Sequence, residues 1–372
     1  MVRTWRKYGV VVLACLMVIT LVLAGCGQTQ PTAGSTAASS GGAAGGTSGG
    51  STGSAKAEPD YAFYNGKTVT FVVATSAGGG YDSYGRLIAP YLQKYLPGST
   101  VIVKNVPGAG HIIGANEIYN AKPDGLTLGT FNKGLIMSQI AGMEGIKFDM
   151  SKFTWIGNAS SDSRVLIINS SLPYKTMDDI VKSGKELKLA SAGVGSASSN
   201  DGLMVSKIFG FKVKLIAGYS GQQADLGMMK REIDGQVGAY DSMKSLIDQG
   251  QARAIVIIGT NKVADLPNVP MLSDIAPASS KAIVDLMDSQ ASLARPIGAT
   301  PGIPEGRVLA LREALQKALS DPELLAKAKQ AQLPINYLNG DDMAKTVSNA
   351  LNQPPDVVSI IKEAVNSPSK EK

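Results

Sequence analysis

Histidine and cysteine are almost missing, with one His and two Cys in 372 residues. A Cys/His zinc cluster and a disulfide scaffold are excluded at once. A Ser-His-Asp mechanism would have to run through His111 alone, and no G-x-S-x-G elbow offers it a nucleophile. Charge is sparse as well, at 18% against the ~25% usual in globular chains. No stripe of Lys and Arg interleaved with aromatics is present, so nucleic acid is not an expected partner. What is there is length enough for about two domains at ~150 residues each. Glycine is abundant, at 42 residues, and the net charge is +6.

Part of that charge is concentrated at the start. Arg3, Arg6 and Lys7 precede an apolar run over 10–23, which ends in Leu23-Ala24-Gly25-Cys26. A basic n-region, an apolar h-region and small residues at the cleavage point read as a secretory signal over 1–25. The apolar run falls short of the ~20 residues that cross a bilayer. L-A-G-C resembles the lipobox of bacterial lipoproteins, which implies that Cys26 is diacylated and becomes the mature N-terminus. Two acyl chains anchor a protein stably where one is marginal. Loss of the three basic residues with the signal lowers the net charge from +6 to +3. In 27–54, all but Gln28, Gln30 and Pro31 are Gly, Ser, Thr or Ala. Such a composition has nothing to bury and cannot offset its ordering entropy. Residues 26–60 therefore read as a lipidated, flexible tether, with a span of about 30 Å.

From residue 67 onward, β-branched runs alternate with amphipathic stretches. Residues 68–74 (TVTFVVA) read as a buried strand. In 82–95 the residues Tyr84, Leu87, Ile88, Tyr91, Leu92 and Tyr95 recur at 3–4 spacing, which predicts a helix. Further strands are expected at 100–106, 126–131, 155–159, 164–168, 187–191, 212–217, 235–239 and 254–258. Helices are expected at 113–120, 178–182 (Thr176 as N-cap), 201–209, 222–231 and 242–248. The C-terminal part is helical over 304–320, again from Asp321 as N-cap with Pro322 at the first helical position, and over 341–351 and 356–365. This alternation predicts an α/β protein with parallel sheets built from βαβ units. The pairs Asp178-Asp179 and Asp341-Asp342 fall at helix starts, where they complement the macrodipole and need no catalytic role.

Small residues gather in four loops. Ser76-Ala77-Gly78-Gly79-Gly80-Tyr81-Asp82 lies between a predicted strand and a predicted helix. Open α/β sheets bind ligands at such strand ends, and a helix N-terminus favours an anion there. The loop has neither the Lys-Ser/Thr of a P-loop nor G-x-G-x-x-G spacing, so a nucleotide is not expected. The others are 105–111, 191–200 and Gly218-Tyr219-Ser220-Gly221. The third offers the hydroxyls of Ser196 and Ser199 beside Gly195 and a new helix N-terminus. Loops of this kind from both halves of the chain suggest a pocket between two lobes.

Five stretches in order resemble the solute-binding receptors of tripartite tricarboxylate transporters. They are Ala77-Gly78-Gly79-Gly80-Tyr81-Asp82, the run 103–110 (VKNVPGAG), the run 122–128 (KPDGLTL), the loop 190–195 and Pro301-Gly302-Ile303-Pro304-Glu305-Gly306. The resemblance implies a two-lobed periplasmic-binding-protein fold, of the Venus-flytrap, type II-like kind, each lobe a sheet flanked by helices. It implies one lobe from 61–160 plus 291–372 and the other from 161–290. It further implies an extracytoplasmic receptor that captures a small organic anion and delivers it to permease subunits; the lipobox reading adds the membrane anchor at Cys26, and a monomer is expected. The anion could be a di- or tricarboxylate, an aromatic acid or an amino acid. In such receptors the first glycine loop holds a carboxylate through backbone amides and water, a role that carries over to 76–82 here. Second-lobe contacts would come from Gly195, Ser196, Ser199, Tyr219, Tyr240 and Asp241. No enzyme activity, cofactor or metal is expected. The alternative is a sensor that presents its closed form to a membrane histidine kinase.

The sequence departs from the family pattern where prolines usually flank the first loop, since Ala74 and Ser76 stand there. Tyr81 replaces a small residue, His111 replaces a glycine, and Gly218-Tyr219-Ser220-Gly221 replaces a common Pro-Tyr-Lys-Gly. These departures bear on which ligand fits. Several residues carry two readings. Asp82 either caps the helix or orients a ligand, with the cap expected. His111 either polarises a carboxylate or sits on a loop surface, with the surface expected. Arg164 either meets a ligand or makes a surface ion pair, with the ion pair expected. Tyr81 is read as a pocket residue. Asp241 can be both N-cap and contact, and Asp162 can be a turn residue.

Overall fold

The computed structural model describes residues 57–161, 163–219 and 221–366. The signal, Cys26, the tether up to residue 56, Asp162 and Ser220 lie outside the described residues. The chain starts β1 (Thr68–Val73), α1 (Gly80–Tyr95), β2 (Thr100–Asn105), α2 (Ile112–Tyr119), β3 (Thr127–Thr130), α3 (Leu135–Ala141) and β4 (Thr154–Asn158). It continues β5 (Arg164–Asn169), α4 (Met177–Ser183), β6 (Leu187–Ser191), α5 (Ala197–Phe209), β7 (Val213–Ala217), α6 (Gln222–Met229), β8 (Gly235–Ala239), α7 (Tyr240–Asp248) and β9 (Ala252–Ile258). Then come α8 (Leu272–Ile275), α9 (Lys281–Ala291), β10 (Pro296–Ala299), α10 (Glu305–Leu319), α11 (Pro322–Gln330), β11 (Leu338–Asn339), α12 (Gly340–Leu351) and α13 (Pro355–Asn366).

The strands form two sheets, one ordered β11-β4-β10-β3-β1-β2 and the other β7-β6-β8-β5-β9. The expectation of parallel sheets is corrected: both are mixed. β1 runs parallel to β2 and β3, but β10 is antiparallel to β3 and β4. In the second sheet β5 is antiparallel to both β8 and β9. The reason is connectivity. β5 follows β4 after a short crossing from one sheet to the other, with no intervening helix to return it in the parallel sense. The chain comes back through α8 and α9 into β10, which is likewise reversed.

Strand side chains alternate faces with period 2. Val69, Phe71 and Val73 of β1 enter one core while Val72 enters another. On β5, Val165 and Ile167 face one core, and Leu166 and Ile168 the other. Both faces of each sheet are covered by helices, so the strands read as unbroken apolar runs. One of these cores is continuous between the sheets. It contains Phe131, Phe153 and Trp155 from the first lobe together with Leu189, Met204 and Val237 from the second. The C-terminal helix α13 straps the two together: Lys207 pairs with Glu363 at 2.6 Å, and Asn366 donates to the Ala141 carbonyl at 2.9 Å.

Candidate functional site

A cavity of about 570 Å³ lies between the sheets. It is walled by the loops that leave β1, β2, β6, β7 and β8 at their C-terminal ends, the usual place for a ligand in an α/β sheet.

The first-lobe wall is mostly backbone. Gly78 takes φ +86°, a left-handed conformation that suits glycine, and its N–H donates to Asp82 Oδ2 at 2.9 Å. Asp82 also accepts from Arg86 Nε at 3.0 Å and from Asn105 Nδ2 at 2.9 Å. Burial opposes its charge, but these hydrogen bonds outweigh burial and hold its carboxyl below the ordinary carboxylate range. The capping expectation for Asp82 is corrected. Helix α1 begins at Gly80 with Gly79 as N-cap and no side-chain capping bond. Asp82 sits in the first turn and reaches back to shape the loop. The N–H groups of Gly80, Tyr81 and Asp82 have no acceptor within the helix, and the positive end of the helix dipole lies at the cavity.

Arg295 adds a full charge to this wall. Its guanidinium is 4.8 Å from the ring centre of Tyr81 and 4.7 Å from that of Tyr84, and Nη1 donates to the Ala294 carbonyl at 2.8 Å. Stacking between two phenol rings suits the planar, weakly hydrated guanidinium. A Cβ on Gly80 would stand 3.2 Å from Arg295 Nη2, so glycine at 80 makes room for it. His111 lies edge-on to Tyr81 at 5.8 Å between ring centres and lines the cavity. It is not a surface histidine: its Nδ1 is sealed without a partner, and burial pushes the imidazole down to about 4, so it is neutral.

The second-lobe wall is made of side chains. Ser196 caps α5 by accepting from the Ser199 N–H at 3.3 Å, and its Oγ lies 3.1 Å from Ser198 Oγ. Asp225 on α6 accepts from Gln236 Nε2 of β8 at 2.8 Å. Arg164 was expected on the surface and is instead 7% exposed. Its Nε pairs with Asp201, and Nη2 donates to the Val237 carbonyl at 3.2 Å. The first residue of β5 lies over α5, so this arginine is buried with its counter-ion at the cavity floor.

The lobes meet through glycines. A Cβ on Gly110 (φ +60°) would overlap the Val194 carbonyl oxygen, and one on Gly134 would lie 2.6 Å from the Ala197 nitrogen. A Cβ on Gly221 would stand 3.7 Å from Gly79 Cα. Asn132 ties the seam by accepting from the Ala197 N–H at 3.1 Å and donating to the Gly110 carbonyl at 3.2 Å.

Of the residues named from sequence, Ser76, Ala77, Gly78, Gly79, Gly80, Tyr81, Ser196 and Tyr219 line the cavity. Asp82, Gly195, Ser199, Tyr240 and Asp241 are not in its lining. Gly195 instead accepts from Ser138 Oγ at 3.0 Å across the seam. The Tyr240 hydroxyl donates to Asp265 at 2.8 Å, and burial with that carboxylate pushes it up to about 12. Asp241 lies in the first turn of α7 behind Ala239 as N-cap, while its neighbour Ser242 lines the cavity. The Tyr219 hydroxyl donates to Glu232 at 2.7 Å, so its proton is committed within its own lobe. Sequence reasoning missed Arg295, Asp225 and Gln236, none of which sits in a small-residue loop.

Comparison with known proteins agrees with this architecture. The family described as the tripartite tricarboxylate transporter family receptor matches residues 85–364. A UPF0065 protein of Agrobacterium vitis is 25% identical over 269 residues, covering 71% of this chain and 75% of that one. Among solved structures, the periplasmic binding protein BugD is similar with a TM-score of 0.67 at 22% identity, covering 81% of this chain and 98% of that one. MatC from Rhodopseudomonas palustris, solved with bound malate, is similar with a TM-score of 0.64 at 21% identity, covering 81% and 99%. The structural likenesses show the two-lobed fold. The family match covers most of the chain, and the chain belongs to the tripartite tricarboxylate transporter receptor family, a family of extracytoplasmic solute-binding receptors.

Proposed function

We propose that this receptor captures a small organic carboxylate between its lobes and hands it, chemically unchanged, to the subunits of a tripartite tricarboxylate-type permease. The carrying observation is the first-lobe wall, where the glycine loop at the N-terminus of α1 and Arg295 line one cavity. The ligand carboxylate sits against Ser76, Ala77, Gly78, Gly79, Gly80 and Tyr81, with Asp82 holding that loop in shape. Ser196 and Tyr219 face it from the other lobe, and Gly195, Ser199, Tyr240 and Asp241 support that wall from behind. The lobes comprise 61–160 with 291–372 and 161–290. The protein acts as a monomer, tethered through 26–60 to the bilayer by a diacylated Cys26 after removal of 1–25. Malate, bound by the structural relative, is a small carboxylate of the general class this reading requires.

A thermal-shift panel of di- and tricarboxylates, aromatic acids and amino acids on the purified chain tests the reading. At least one acid is expected to raise the melting temperature and to be recovered unaltered. A panel in which no acid shifts the midpoint contradicts it. Replacement Cys26→Ser is expected to move the protein from the membrane to the soluble fraction on cell fractionation. Retention in the membrane removes the anchor.

A further inference from the structure

The two walls of the cavity differ in sign. Asp225 lines the second wall, half-buried, and its side-chain hydrogen bond comes from a neutral amide, Gln236 Nε2 at 2.8 Å. No ion pair to Asp225 is formed among the described residues. The guanidinium its own lobe brings to the cavity, Arg164, is paired with Asp201. Burial pushes the Asp225 carboxyl up, the response of an acid that lacks a compensating cation. Gln236 is 6% exposed and uses Nε2 twice, toward Asp225 and, at 3.6 Å, toward Met228 sulfur. Its Oε1 remains as an acceptor. A carboxylate and a carbonyl side by side in a cavity wall call for a group with several N–H donors and a positive charge.

The spacing suits a small molecule. Gly221 meets Gly79 across the cleft, and the Asp225 N–H returns to the Gly221 carbonyl at 3.4 Å. Asp225 thus stands one helical turn, about 5.4 Å, along α6 from the point where the lobes touch. A purely anionic ligand that filled this space would bring a second carboxylate toward Asp225, and like charges at short range repel.

We propose that Asp225 and Gln236 form an ammonium subsite, so that the ligand is an amino carboxylate with its acid group on the α1 amides and its amino group on this pair. The inference rests on the carboxylate reading above. It is tested by calorimetric titration of the full chain with pairs of acids that differ only in an amino group: succinate and aspartate, glutarate and glutamate, propionate and alanine, hydrocinnamate and phenylalanine. In at least one pair the amino member is expected to bind tighter by about tenfold or more, the scale of a hydrogen bond to a charged group. Asp225→Asn is expected to remove that preference by weakening the amino member and leaving the plain acid as tight or tighter. Gln236→Leu, which keeps the charge and removes the acceptor, is expected to reduce the preference by a smaller factor. Plain acids that bind as tightly as their amino partners overturn the subsite and leave the carboxylate reading standing. Silence from every member of every pair overturns both. An undiminished preference in Asp225→Asn, with circular dichroism like the wild type, also overturns the assignment.

Discussion

The two walls of the cavity are built by opposite means. The first-lobe wall is mostly a run of consecutive residues whose backbone lines the cavity, with glycines at 78–80, a helix N-terminus, and a buried Asp82 that fixes the loop from behind, and Arg295 is the distant side chain added to it. The second-lobe wall is assembled from side chains far apart in the chain: Ser196, Asp225 and Gln236, over the buried Arg164. A backbone wall offers the same donors to any carboxylate, so it supplies the common chemistry. A side-chain wall can change residue by residue without disturbing the fold, so under the proposed function it is the wall that would set which carboxylate is accepted. The comparison can be broken from either side.

The largest effect is expected at the seam. In Gly110→Ala the new Cβ meets the Val194 carbonyl oxygen at a positive φ. The lobes would be held apart, and affinity should fall by roughly three orders of magnitude, about 4 kcal/mol, with little change in circular dichroism. Unchanged affinity would show that the seam is not needed for capture. Next is Gly79→Val. A Cβ there meets nothing within 4 Å, so the fold is spared while methyl groups fill the space beside the amides. A loss of about 100-fold is expected, or ~2.7 kcal/mol, and a wild-type dissociation constant would remove this wall from the site.

Asp82→Asn acts one layer behind. It weakens the bonds from Gly78 and Arg86 that shape the loop, each to a charged group and worth ~1.5–3 kcal/mol, so affinity should drop about tenfold. The wild-type protein should show the same loss with acid. The Asp82 pKa is depressed, so its contribution is present above the ordinary carboxylate range and disappears as pH falls through the depressed value. A titration that is flat into strong acid would contradict this role.

The smallest effect concerns His111. Its folded value of about 4 lies below the ordinary 6.5. Between those values the unfolded chain binds more protons, so stability rises with pH across that window. The gain is roughly 1 kcal/mol, reduced from the full shift because the residue is part-exposed. Urea midpoints should climb across the window in the wild type and stay level in His111→Gln; equal slopes would place the imidazole in water.

What could be read from sequence follows the same division. The strand at 68–74, the helix after it and the first glycine loop are contiguous signals, and the structure keeps them together. Capping by Thr176 and Asp321 was legible for the same reason, since a cap and the N–H groups that donate to it lie within three residues. β10 was not legible. Pro296-Ile297-Gly298-Ala299 is four residues long and carries a proline and a glycine, yet it sits in the middle of the first sheet, where two neighbours supply its pairing. α3 was missed because nearly every side is buried, which erases the helical period. Arg164 and Asp225 were beyond local reading. One is matched by a counter-ion 37 positions away, and the other meets its hydrogen-bond partner, Gln236 on β8, 11 positions away on a different element.

The account turns on a carboxylate held against the α1 amides. Calorimetric titration of the acid that gives the largest thermal shift, run in parallel on the wild-type chain and on Gly79→Val, tests this most directly. The account predicts a one-to-one isotherm in the wild type and about a hundredfold weaker one in a variant of equal melting temperature. Equal isotherms from the two proteins, or none from the wild type with any acid of the panel, would contradict it.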